Sequence, residues 1–188
     1  METIYKEWDY YTWDVVIPPN EIKNINSVIE KNYCMNQAEN EAPPWKNLSS
    51  VKLVEYGHIA PLIGNFINEA HRVGTTGFGY NIFPIYNSIF LNHSIYDSKD
   101  KADYDWHRDT SESLKIDCKL TLLINLSDEP YEGGQFQVHV ENKPCTIDSY
   151  NKSGSAILFK SHILHRVLPV TSGIRKSLAL FLTGPRFQ

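Results

Sequence analysis

His165-Arg166-Val167-Leu168-Pro169-Val170-Thr171-Ser172-Gly173-Ile174-Arg175-Lys176-Ser177-Leu178 is the stretch on which the reading of this chain turns. A β-type run ends at Pro169, which has no N–H to give to a ladder, Gly173 closes a turn, and a second β-type run starts at Ile174. Side chains two apart on a strand share a face, so Arg175 and Ser177 point the same way. The turn predicts that His165 and Arg175 sit near each other on adjacent antiparallel strands. An imidazole with a guanidinium behind it suits a dicarboxylate bound end-on to a metal. The far carboxylate would enter the arginine fork, which binds bidentately and stays charged when buried. Ser177 adds a hydroxyl donor.

Upstream, Trp106-His107-Arg108-Asp109 supplies what that arrangement lacks. On an extended strand His107 and Asp109 project together, and with His165 they make up a 2-His-1-carboxylate set, which holds non-haem iron(II) and leaves positions open. A His-x-Asp tripeptide alone is more commonly a surface ion pair; His165 and Arg175 give it meaning. His162, three residues before His165, falls on the opposite strand face and is read as exposed or structural. His58, His71, His93 and His139 have no partner at ligand spacing and are read as ordinary polar or helix-surface residues. Cys34, Cys118 and Cys145 are odd in number and widely spaced, which suits neither a disulfide framework nor a cysteine zinc site. Cys118 falls in the alternating apolar row Ile116, Cys118, Leu120, Leu122, Ile124, Leu126 and is read as a buried structural thiol.

Around these residues the pattern is β-rich: Phe78–Pro84, Ser88–Tyr96, Tyr104–Asp109, Lys115–Leu126, Gln135–Glu141, Pro144–Ser149, Ser155–Phe159, Ile163–Leu168 and Ile174–Thr183 read as strands. Before Gly74 the order differs. A strand at Asp14–Ile17 leads through Pro18-Pro19-Asn20-Glu21 into a helix with Ile22, Ile25, Val28 and Ile29 on one face. Met35–Leu48 reads as a loop, and a second helix spans about Pro61 to Arg72. Helices first and strands afterwards predict a mainly β chain with flanking helices (α+β), folded as a β-sandwich or jelly roll. A length of 188 residues suits a single domain, with a helical buttress over about 14–73 and a jelly-roll core over about 78–184.

Composition excludes more than it selects. The chain is 41% hydrophobic and 21% charged, and no apolar run approaches the ~18 residues needed to cross a bilayer. The acidic, aromatic N-terminus does not resemble a secretory signal, so the expected compartment is cytoplasmic. A net charge of −4 without a Lys/Arg cluster argues against extended nucleic-acid binding.

The same motifs carry a family resemblance. His107-x-Asp109, Tyr131-Glu132-Gly133-Gly134-Gln135-Phe136, Gly154-Ser155-Ala156-Ile157-Leu158-Phe159, His165-x-Val167-x-Pro169-Val170 and Gly173-x-Arg175-x-Ser177-Leu178 stand in the order and spacing of the 2-oxoglutarate/Fe(II) oxygenase superfamily. The chain most resembles the prolyl 4-hydroxylase-type branch, strongly from about Tyr104 to Leu178. The resemblance implies a double-stranded β-helix (cupin-like jelly roll) with iron(II) on His107, Asp109 and His165. It also implies 2-oxoglutarate on Arg175 and Ser177, O2 as co-reactant and ascorbate as an optional reductant. A tyrosine before the His-x-Asp pair belongs to the pattern. Tyr96 is the first candidate and Tyr104 the second, because the segment Asp97–Asp103 is longer than usual and lacks a glycine. That segment reads as a solvated loop, with a substrate cover as the alternative. Lys160, in Phe159-Lys160-Ser161, is read as a surface variation, and Gly133 and Gly134 as positions allowing close backbone approach beside the pocket. Trp106, Tyr80, Phe83, Tyr86 and Phe90 are candidates for the substrate cleft, with core packing as the competing reading.

The implied reaction is hydroxylation of a C–H bond, first of a prolyl residue in a peptide or protein, with release of succinate and CO2. A free amino acid, another small metabolite or a nucleobase are the alternatives. From a different class, a cupin-like metal protein carrying zinc or nickel and not using 2-oxoglutarate would leave Arg175 and Ser177 without a purpose.

Overall fold

Ile22, Ile25 and Ile29 recur at helical spacing and are buried on one side of α1 (Pro19–Asn32), which Pro19 starts and whose ends carry Glu21 and Lys31 in keeping with the helix dipole. Ile59, Ile63, Ile67, Ala70 and Val73 do the same on α2 (Tyr56–Thr76), which is longer than the expected 61–72 and contains Pro61 near its start. The computed structural model describes residues 8–37, 46–109 and 116–186.

The strands are β1 (Tyr10–Trp13), β2 (Met35–Gln37), β3 (Lys46–Asn47), β4 (Ser50–Glu55), β5 (Phe90–Asp97), β6 (Asp103–His107) and β7 (Ile116–Asn125). They continue as β8 (Glu132–Gly133), β9 (Phe136–Val140), β10 (Lys143–Thr146), β11 (Ala156–Lys160), β12 (His165–Val167), β13 (Val170–Ser172) and β14 (Ile174–Pro185). They form a seven-stranded sheet in the order β1-β11-β7-β14-β5-β4-β2, a five-stranded sheet in the order β10-β9-β12-β6-β3, and a β13-β8 pair. The two larger sheets face each other as a jelly roll.

Strand alternation divides the apolar residues between two cores. Leu120, Leu122 and Ile124 of β7 and Leu178, Leu180 and Leu182 of β14 pack with the isoleucines of α1 and α2. Phe136, Val138, Ile157, Phe159 and Val167 fill the space between the sheets. That interior is where Arg175, Ser177, Ala179 and Phe181, alternate residues of β14, point.

Several expectations need correction. Residues 14–17 are not a strand; the pairing comes earlier, at β1 against β11, while the amides of Val16 and Ile17 both donate to Gly154 O. Phe78–Pro84 is irregular, its backbone tied singly, as by Phe83 N–H to Thr183 O. The expected loop Met35–Leu48 contains β2 and β3, with 38–45 outside the described residues, and β4 was not anticipated. His165 and Arg175 are not on adjacent strands. β12 pairs with β6 and β9, β14 pairs with β5 and β7, and the chain crosses from one sheet to the other through β13 and Gly173. The two residues face each other across the sandwich.

Candidate active site

The antiparallel register sets His165 of β12 directly opposite His107 of β6, and their rings lie with centroids 4.1 Å apart. β6 ends at His107, so Asp109 is not carried to the site by strand alternation as expected. Its backbone N–H donates to Ser161 O at 2.9 Å, and this anchor turns the carboxylate inward. Asp109 Oδ1 lies 3.8 Å from His107 Nε2 and Oδ2 lies 3.4 Å from His165 Nε2. One ligand atom from each of His107, Asp109 and His165 falls within 4.8 Å of the others, a span over which one ion could touch all three.

The tautomers are fixed by the backbone. His107 Nδ1 is 2.7 Å from Asp105 O and His165 Nδ1 is 2.9 Å from Ile163 O. A carbonyl only accepts, so each Nδ1 carries the proton and each Nε2 keeps its lone pair toward the centre, the usual outer support of a metal-binding histidine. Burial pushes the His165 imidazole down to about 4, so it is neutral and available at physiological pH.

Across the interior, Arg175 is 1% exposed. Its Nη2 donates to Tyr150 Oη at 3.3 Å, but Nε and Nη1 are buried without a hydrogen-bond partner. A buried cation with two orphaned N–H groups is costly unless an anion completes it. Arg175 lines the cavity that His107, Asp109 and His165 also line, and a guanidinium fork matches a carboxylate. The histidine–carboxylate set and the orphaned guanidinium therefore fit a metal and a dicarboxylate respectively.

Tyr96 and Tyr104 both line this cavity, at different ends. Tyr96 is 4% exposed and its ring lies 5.0 Å from Arg175 Cζ; burial raises its pKa against the opposing pull of Arg175 and Ser177, so it remains a hydroxyl donor. Tyr104 stacks on the His107 ring, with centroids 3.6 Å and planes 8° apart. Gly133 and Gly134 both adopt positive φ, and a Cβ on Gly134 would lie 2.9 Å from Arg175 Cδ. Close approach is what this site requires of them.

A profile of the 2OG-Fe(II) oxygenase superfamily matches residues 91–183, which contain all of these candidate residues. That segment, just under half of the chain, belongs to the 2OG-Fe(II) oxygenase superfamily. A PKHD-type hydroxylase of Psychrobacter sp. (strain PRwf-1) is 34% identical over 76 residues, a stretch that amounts to 40% of this chain and 28% of that relative. Among solved structures, a Pseudomonas putida prolyl-4-hydroxylase aligns with a TM-score of 0.67 at 13% identity, covering 95% of this chain and 94% of that one. A viral collagen prolyl hydroxylase from Paramecium bursaria Chlorella virus-1, solved with 2OG, aligns at 0.69 and 18% identity over 96% and 99%. A Trichoplax adhaerens prolyl hydroxylase in complex with a hypoxia-inducible-factor peptide fragment aligns at 0.68 and 15% identity over 93% and 83%. At such identities the likeness establishes the jelly-roll fold. Superfamily membership implies Fe(II) and 2-oxoglutarate as the groups this cavity takes.

Other sequence expectations change within this oxygenase fold. Trp106 lies outside the cavity, under the Arg166 guanidinium at 4.4 Å and edge-on to His139; Phe83, Tyr86 and Phe90 are exposed, and Tyr80 packs on the helix-side core. Lys160 is 5% exposed and pairs with Asp9 at 3.3 Å rather than facing solvent. His93 is buried at 1% exposure with neither ring nitrogen bonded, contrary to its expected surface role, whereas His162 is exposed. The Asp97–Asp103 segment forms a short 3-10 turn that holds on to the β13 region, through Ser98 N–H to Gly173 O and Val170 N–H to Ala102 O.

Two residues of the site gave no usable signal beforehand. Tyr150 lies in a 3-10 turn, outside any periodic run, and Thr121 was one polar residue in an apolar strand. Gly134→Ala is expected to lower stability by about 1–2 kcal/mol, the usual penalty for a left-handed non-glycine residue. It should also weaken 2-oxoglutarate binding by displacing Arg175. Calorimetric titration with Co(II) should show metal affinity unchanged; a matching loss of metal affinity would mean that the substitution deforms the whole site.

Among the described residues no helix is long and apolar enough to cross a membrane.

Proposed function

We propose that this protein is an Fe(II)- and 2-oxoglutarate-dependent dioxygenase that hydroxylates a C–H bond, with a prolyl residue of a peptide or protein as the first substrate class and succinate and CO2 as co-products. The observation that carries the reading is Arg175, a fully buried guanidinium with two unpartnered donors in the cavity that the His107–Asp109–His165 set lines. A metal protein without a dicarboxylate would leave that charge unbalanced. The helical layer and the jelly roll are read as one domain.

In this assignment His107, Asp109 and His165 hold the metal from one side, through two Nε2 lone pairs and one carboxylate. Iron and 2-oxoglutarate, once bound with O2, supply the oxidising power for cleaving the substrate C–H bond. Arg175 orients the cosubstrate by its distal carboxylate, with Tyr96 and Ser177 as hydroxyl donors beside it. Phe136, Leu123 and Val167 give the cavity apolar walls that exclude water and strengthen the charged contacts. Tyr104, stacked on His107, limits the swing of that imidazole. Ascorbate is an optional reductant outside the protein's own machinery.

The prolyl-peptide class is supported by the prolyl hydroxylases among the structural neighbours, one of them holding a peptide fragment. Free amino acids, small metabolites and nucleobases are the competing classes. Succinate release against panels of proline-containing peptides, amino acids and nucleosides, with mass detection of one added oxygen atom, separates them. Turnover confined to the peptides is the expected result. Turnover confined to another panel would remove the prolyl assignment and keep the oxygenase, and absence of any 2-oxoglutarate binding would remove both.

A further inference from the structure

Asp109 is gripped from behind by a line of side chains that ends at a thiol. Thr121 Oγ1 donates to Asp109 Oδ2 at 2.7 Å, Thr121 Oγ1 and Ser161 Oγ are 2.9 Å apart, and Ser161 Oγ and Cys118 Sγ are 3.1 Å apart. Thr121 and Ser161 are both 0% exposed. The direction of every bond follows from proton counting. An ionised carboxylate only accepts, so the single hydroxyl proton of Thr121 goes to Asp109. Thr121 must then accept from Ser161, whose one proton is thereby used, so Ser161 must accept from the Cys118 S–H. The result is one unidirectional chain, Cys118 to Ser161 to Thr121 to Asp109, in which each bond polarises the next.

The chain exists because β7 carries an irregularity. Its register against β14 shifts between Leu182, opposite Leu120, and Thr183, opposite Cys118. That extra residue breaks the apolar alternation that would have sent Cys118 to the helix side with Leu120, and brings its sulfur to Ser161. Ser161 holds Asp109 a second time, accepting the Asp109 backbone N–H at 2.9 Å, and its own N–H donates to Lys119 O at 3.1 Å.

We infer that Thr121 and Ser161 are positioning residues for the metal site, and that the Cys118–Ser161–Thr121 chain commits one oxygen of Asp109 to the protein so that the carboxylate offers the metal a single oxygen. This inference rests on the metal assignment of Asp109 made above. A carboxylate released from Thr121 would be free to chelate through both oxygens and take up a coordination position that the cosubstrate or O2 requires. Ser161, through its backbone and side chain together, sets where that carboxylate stands.

The test uses Co(II) in place of iron and reads affinity by calorimetry and coordination by the visible d–d spectrum, neither of which depends on turnover. Thr121→Val, close in shape and lacking the hydroxyl, is expected to lose about 10-fold or more in Co(II) affinity, the usual effect of removing outer support from a ligand. Its Co(II) spectrum should shift, and Thr121→Ser should restore both. Ser161→Ala, which keeps the backbone anchor, is expected to fall between parent and Thr121→Val, with circular dichroism verifying the fold of each variant. A folded Thr121→Val protein with parental Co(II) affinity and spectrum would overturn the inference while leaving the metal assignment standing. Failure of the parent protein to bind Co(II) would overturn the metal assignment itself, and the inference with it. If Thr121→Val does not fold, Ser161→Ala decides: parental Co(II) affinity and spectrum in that variant would overturn the inference.

Discussion

Arg175→Ala is expected to lower 2-oxoglutarate affinity by about 100-fold or more while leaving Co(II) affinity within a few-fold of the parent, because truncating one partner of a buried charge pair costs about 2–5 kcal/mol. The asymmetry is the informative part. Arg175 lies on β14, in the sheet opposite the strands that carry His107 and His165, so it contacts none of the three proposed ligand side chains through its own strand pairing. The substitution should also change the ligand-free protein in an unusual direction. Without an anion, Arg175 is a buried cation with two unsatisfied donors, and replacing it with an apolar side chain of similar length removes that burden. Arg175→Met is therefore expected to raise the stability of the ligand-free protein, by about 1–4 kcal/mol, while abolishing the stabilisation that 2-oxoglutarate gives the parent. Thermal melts with and without 2-oxoglutarate measure both quantities. A variant that loses stability and both affinities together would show Arg175 to be a structural strut.

Acid is expected to unfold this protein through two neutral histidines. His93 and His165 are both pushed down to about 4, chiefly by burial. In the unfolded chain each titrates near the ordinary histidine value of about 6.5, so below that pH the unfolded state binds more protons than the folded one. Each residue's contribution is fully present above about pH 6.5, declines as the pH falls, and is exhausted near 4. The expected loss is about 3 kcal/mol per histidine across that window. His93→Leu should halve the slope of stability against pH in the metal-free protein and raise stability at pH 5, since the parent imidazole has both nitrogens buried and unbonded. Bound Co(II) should raise stability near neutral pH and hold His165 unprotonated to lower pH in the folded state, so the His165 share of the slope should persist or steepen while that of His93 is unchanged. Denaturant titrations at pH 4.5, 5.5 and 7 read the slope directly; an unchanged slope in His93→Leu would assign the acid sensitivity elsewhere.

The jelly roll and the residues of the candidate site were legible because they are written in short local patterns. The apolar alternation of β7 and β14, the glycines before β9 and the His-x-Asp spacing each report on a few neighbouring residues. What was not legible depends on where the chain travels between patterns. His165 and Arg175 looked like partners on one hairpin, because a Pro and a Gly ten residues apart predict a turn but not a change of sheet. Asp109 looked like a strand residue, and only the anchor on Ser161 O reveals why it points inward although the strand has ended. Cys118 was legible as a structural thiol, but alternation could not show which side of the sheet it serves, since a single bulge inverts the phase of everything before it. His93 was read as an ordinary polar residue because nothing in its immediate surroundings distinguishes a buried imidazole from an exposed one.

β14 behaves as a graded ruler. Its interior residues Arg175, Ser177, Ala179 and Phe181 step along one edge of the cavity at about 6.6 Å per pair of residues, passing from cation to hydroxyl to methyl to ring. Phe181 stands opposite Thr121, the neighbour of Asp109, so the apolar end of the ruler lies at the level of the candidate metal while the charged end lies away from it. In the proposed assignment the end that takes the cosubstrate and the apolar end are thereby placed at opposite ends of a single strand. Exchanges at 179 are then expected to reshape the apolar end while leaving Arg175 and Ser177 in place, whereas an exchange at 181 would also bear on Thr121 across the pair.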